Sequence, residues 1–177
     1  DKSVNSIVGN FSQLGVDAEK VFGVASALKS EFADISSFSE QTLSALTVLG
    51  TNFGVSADSA AKTQAILENI GGLTSETAAS VQLQVANMAN LAGVAPAKII
   101  EDIAENAEIA STFFKGDINA LAKAAVEARR IGTNIARTAE IAEGLLDFEN
   151  SITKELEASA ILGTSINFNK ARALAID

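Results

Sequence analysis

The chain contains no histidine, no cysteine, no tryptophan and no tyrosine, and a single proline, Pro96. Without imidazole or thiol, the usual nucleophile–base pairs, thiolate metal sites and disulfide frameworks have no parts to be made from. No glycine loop matches GxGxxG or GxxxxGK[ST], so nucleotide phosphates lack a cradle. Positive charge is also scarce: 13 basic against 22 acidic residues give a net charge of −9. Phosphate binding needs a concentrated positive surface, so direct nucleic-acid binding is not expected. No apolar run approaches the ~20 residues that span a bilayer, and no signal peptide is legible.

What is present concerns packing. Hydrophobic residues make up 47% of the 177-residue chain, mostly Ala, Ile, Leu and Val, with nine Phe. This is the composition of a folded chain built from closely packed helices. Apolar spacing is helical nearly throughout, and no stretch alternates with period two for long enough to make a strand. Turn and cap signals divide it into helices over 4–13, 17–31, 39–53, 56–70, 75–92, 96–111, 118–131, 135–147, 150–162 and 167–176. Ser56, Thr74 and Asp117 stand at N-cap positions, and Pro96 at a first helical position, where its missing N–H costs nothing. The break near Asn150 is the least marked, since the segment around it also reads as one long helix.

A longer period overlies these helices. "GVDAEK", "GVSADS", "GVAPAK" and "GTNIAR" open at Gly15, Gly54, Gly93 and Gly132, each 39 residues after the last. Val16, Val55 and Val94 follow the first three glycines, and Thr133 the fourth. Leu28, Leu67 and Leu145 share another phase, which Asn106 interrupts. Each unit holds one helix, a turn and a second helix leading to the next glycine. A helix pair cannot bury its apolar face alone, so successive pairs must cover one another. The expected fold is therefore all-α: helix-pair repeats over 15–53, 54–92, 93–131 and 132–170, packed as a bundle or short solenoid in a single helical segment.

Candidate sites are few. Glu101, Glu105 and Glu108 fall at i, i+4 and i+7 and would share one helix face. Such carboxylates can ligate a hard cation, but the reading preferred is a solvated face opposite Ile99 and Ile103. Arg129 and Arg130, the only adjacent basic pair, lie at a helix end, where cations complement the dipole. No catalytic, cofactor-binding or metal residue is assigned, and no cofactor is expected. The best amphipathic stretch is "EGLLDFENSITKELEASAIL". Its stripe of Leu145, Phe148, Ile152 and Leu156 is the candidate surface for a partner helix or a second copy, with an intramolecular core as the equal alternative. Its acidic polar face disfavours a membrane surface.

The stretches "LAGVAPAKIIEDIAENAEIASTFFKG" and "AKAAVEARRIGTNIARTAEIAEGLLDFENSITKELEASAILGTSINFNKARALA" resemble segments of tail tape-measure proteins of tailed bacteriophages. The likeness runs through residues 84 to 176, about half the chain. It implies a non-enzymatic structural virion protein in the tail lumen, present in several copies, which sets tail length and is ejected ahead of the genome. Expected partners are then copies of itself, the tail tube, and baseplate or tail-tip proteins. Two departures stand out: tape measures are very long, and they carry membrane-entering hydrophobic segments, absent here. The start at Asp1 and the stop at "KARALAID" inside a helical pattern read as a segment of a longer chain. The alternative is a non-enzymatic helical repeat scaffold in another assembly.

Overall fold

The computed structural model describes residues 18–34, 36, 38–112 and 117–176, without the side chains of residues 110 and 111. The expected helix over 4–13, the Gly15 marker and Val16 lie outside the described residues. Among the described residues the structure is all-helical, with ten α-helices and no strand. They are α1 (Ala18–Glu31), α2 (Glu40–Phe53), α3 (Ala57–Asn69), α4 (Ser75–Leu91), α5 (Pro96–Glu105), α6 (Ala107–Thr112), α7 (Ile118–Arg130), α8 (Ile135–Leu146), α9 (Phe148–Leu162) and α10 (Asn169–Ile176). They form two compact units, Asp1–Ile135 and Ala136–Asp177.

The 39-residue period is physical. Helices α1, α3, α5 and α8 begin at residues 18, 57, 96 and 135, at that spacing. The local signal that repeats is the glycine turn. A left-handed glycine closes the preceding helix, with φ of 69° at Gly54, 73° at Gly93 and 81° at Gly132. Around Gly93 and Gly132 the bonding is the same residue for residue. The Val94 N–H reaches Ala89 O at 2.9 Å, and the Thr133 N–H reaches Ala128 O at 2.9 Å. Both turns thereby satisfy carbonyls that a helix end would leave open. New helices then start on side-chain caps: Ser56 Oγ accepts the Ser59 N–H at 3.0 Å, and Thr74 Oγ1 the Thr77 N–H at 3.3 Å. Asp117 accepts the Ala120 N–H at 3.0 Å, and Pro96 opens α5.

In the first unit the helices stack by layers. The leading helices α1, α3 and α5 pack in succession, as do the following helices α2, α4 and α7, and neighbours within each pair also touch. Positions one period apart share the core. Val21, Ala60 and Ile99 are all buried, as are Leu28 and Leu67, and Thr47, Ala86 and Ala125. Burying a Leu or Ile side chain contributes about 1.5–3 kcal/mol, so these repeated positions hold the array together. Truncating fully buried Leu46 to Ala would cost about 2–5 kcal/mol.

One expected helix is corrected. The segment 96–111 is two helices, α5 and α6, because Asn106 leaves helical geometry at φ −124° and ψ 47°. Its side-chain amide donates to Asp102 O at 2.7 Å, satisfying a C-terminal carbonyl of α5. Asn106 is the residue that interrupts the Leu28–Leu67 phase, so the break in the pattern is a break in the helix.

Candidate functional site

The second unit is built unlike the first. Asp147 ends α8 and caps α9, accepting the Asn150 side-chain amide at 2.6 Å and its backbone N–H at 3.3 Å. The possible long helix is thus two, and Leu145 lies on a different helix from Phe148, Ile152 and Leu156. Gly163, at φ 64°, closes α9 and lets the chain return as α10.

What holds α10 to α9 is polar. Arg172, 4% exposed, donates from Nε to Ser151 Oγ at 2.9 Å, from Nη1 to Asn169 Oδ1 at 2.7 Å, and from Nη2 to Glu155. Glu155 also accepts the Phe168 N–H at 3.2 Å. An arginine so placed needs all these acceptors, because a buried charge left short of partners is costly. Ser151 and Arg172 are the buried side chains among the described residues of this unit.

The apolar side chains face outward. Phe148 and Ile152 are each 48% exposed and Leu156 is 67% exposed, and four-residue spacing sets them along one side of α9. Ile161, Leu162, Leu174 and Ile176 are exposed as well. Leu145 is half-buried and lines a groove of about 390 Å³ with Ile141, Gly144 and Phe168, flanked by Glu140 and Lys154. Of the four stripe residues, three therefore form an exposed row and the fourth lines the groove. The apolar side of α9 is thus exposed to water in this unit.

The other candidates fall differently. Glu101 and Glu105 lie on α5 and Glu108 on α6, so the break at Asn106 removes the shared helix face. Glu101 accepts Lys98 Nζ at 2.5 Å, and that bond holds its carboxyl below the ordinary carboxylate value. No group of three potential metal-ligating side chains occurs among the described residues. Arg129 and Arg130 do end α7, as expected, beside Lys98 and the Gly93 turn. Each of these three cations has a carboxylate partner, respectively Asp102, Glu127 and Glu101, so the cluster carries no net positive charge.

No family model, curated protein or solved structure matches this chain.

Sequence reasoning missed the buried polar residues. Asp102, 3% exposed, takes Arg129 Nε on Oδ2 at 2.7 Å and Nη2 on Oδ1. That contact holds Arg129 above the ordinary guanidinium value. Buried Gln64 and Gln82 bond to one another. A signal for them existed: Asp102 follows Val24 by two periods, and Gln82 stands between Leu43 and Leu121, one period either side. No repeat signal marked Arg172. No helix among the described residues is long and apolar enough to cross a membrane.

Proposed function

We propose that this chain is a structural segment of a phage tail tape measure, a non-enzymatic virion protein whose residue number sets tail length. Its partners are copies of itself and the proteins of the tail tube and tail tip. The observation that carries the reading is the 39-residue spacing of the leading helices, kept as a packing period in the core. A chain built this way gains or loses one helix pair without disturbing the contacts of the rest. The sequence likeness over residues 84–176 points the same way. The net charge of −9 also suits a protein that must not grip the DNA following it.

The test is an in-frame deletion of residues 54–92 in the parent phage, with tail lengths measured by negative-stain microscopy. This removes α3 and α4 and brings Gly93 into the place of Gly54. Pairs opened into continuous helix would shorten tails by about 58 Å, at ~1.5 Å per residue. Pairs that stay stacked would shorten them by roughly 10 Å, one helix-to-helix distance. Intact tails of unchanged length would remove the ruler reading.

A second reading, a helical repeat scaffold in another assembly, is favoured by the outward apolar row on α9. It takes the lead if tail length does not respond while removal of that row disrupts assembly.

A further inference from the structure

The first unit divides its bonding in a particular way. In the second and third pairs polar bonds join the two helices of the pair, whereas the faces that stack one pair on the next are chiefly apolar. In the second pair, Gln64 on α3 donates to Ser75 O at the start of α4 at 2.8 Å, and Gln82 on α4 donates back to Gln64 Oε1 at 2.8 Å. In the third, Asp102 on α5 holds Arg129 on α7 through both carboxylate oxygens. Phe32 and Phe38, on the α1–α2 connection, meet edge to face with ring centroids 4.9 Å apart. Between pairs, the stacked leading helices bury Val21, Leu28, Ala60, Leu67 and Ile99, while Thr63 Oγ1 crosses to Ile100 O at 3.2 Å.

Directional bonds fail abruptly when partners shift, whereas apolar contact yields in proportion to the area exposed. Among the described residues of this unit, the third pair is the one whose two helices are tied by an ion pair. Its leading helix stops at Glu105, and Asn106 replaces the leucine that the first two pairs bury at that phase. Asp102 itself stands where those pairs carry Val24 and Thr63. The ion pair ties α5 to α7, whose Ile99, Ile103, Leu121 and Ala125 are also buried. Removing one partner leaves the other charge uncompensated at a largely buried site.

We propose that the third helix pair, α5 with α7, is a latched module that opens as its own cooperative step, and that Asp102–Arg129 is the latch. Helices α1 to α3 stay folded while it opens. The inference concerns the first unit alone and holds under either reading of function.

The test is hydrogen exchange by mass spectrometry on the full chain. In wild type, amides of α5 and α7 should share one opening equilibrium, more populated than that of α1 to α3. Asp102→Asn should speed exchange in α5 and α7 roughly a hundredfold, with α1 to α3 changed less than about twofold. The double variant Asp102→Val/Arg129→Met removes both charges and should return α5 and α7 to slow exchange. Equal acceleration of every helix from α1 to α7, including outright unfolding, would make the unit a single cooperative block and overturn the proposal. So would Asp102→Asn leaving α5 and α7 unchanged, or a double variant that exchanges as fast as the single one.

Discussion

Gln82 Nε2 donates to Gln64 Oε1 at 2.8 Å, joining α4 to α3 inside the core, and leaves its own Oε1 buried without a partner among the described residues. Gln64 in turn donates to Glu68 and to Ser75 O, each at 2.8 Å. Replacing Gln64 by Met would leave Gln82 Nε2 without a partner as well, at a cost of about 1–3 kcal/mol. Gln64→Met/Gln82→Leu removes both partners and places Leu where one period earlier and later the chain has Leu43 and Leu121. Its stability should return to within about 1 kcal/mol of wild type, since replacing both partners by apolar groups is nearly neutral. Urea unfolding of the four species measures the coupling, and additive effects would mean the two amides act independently.

Glycine substitutions should split by backbone geometry. Gly93 and Gly132 have positive φ, so Ala at either is strained and should cost about 1–2 kcal/mol. Gly144 lies inside α8 with nothing near an added Cβ, so Gly144→Ala should stabilise by about 0.5–1 kcal/mol. Denaturant midpoints of the three variants check this. A neutral Gly132→Ala would contradict the left-handed turn.

The outward row on α9 predicts self-association that can be removed without unfolding. Ile152→Asn and Leu156→Lys change exposed positions and should alter stability by less than about 0.5 kcal/mol. Sedimentation velocity over a concentration series should show wild type associating and the double variant monomeric. Wild type that stays monomeric throughout would end the reading of α9 as a contact between copies.

Acid should loosen the start of α9. The Asn150 side-chain amide and backbone N–H bond to Asp147 and hold its carboxyl below the ordinary value of 3.8. Because the folded state has the lower value, the capping contribution is complete above about pH 4 and is lost as pH falls through that lowered value. The Asn150 amide shift, followed by NMR, should titrate below 3.8. Asp147→Ser keeps a capping oxygen but no titrating group, and its α9 should lose that acid dependence. An Asp147 midpoint at or above the ordinary value would refute the capping bonds.

Much of the architecture was legible because it is decided locally. Ser56, Thr74, Pro96 and Asp117 mark helix starts through bonds or geometry spanning three or four residues. Asn106 was visible as an interruption, yet its meaning was not: a phase change in a pattern does not say whether the helix bends, breaks or continues. The stripe residues were found, but Leu145 was assigned to the same surface as Phe148. Asp147 can cap one helix or ride inside a longer one, and only the course of the chain distinguishes these.

By itself, then, the sequence determined the helical class, the 39-residue period and most helix boundaries, since each depends on residues close in the chain. Tertiary structure decided which polar residues are buried together. Asp102 and Arg129 are 27 positions apart, and Ser151 and Arg172 are 21 apart. It also decided which side of α9 is covered. A stripe of Phe148, Ile152 and Leu156 is equally suited to a core or to an interface, and the choice falls to the interior contacts. In this unit Arg172 occupies the interior with Ser151 and Glu155, which leaves the apolar row in water.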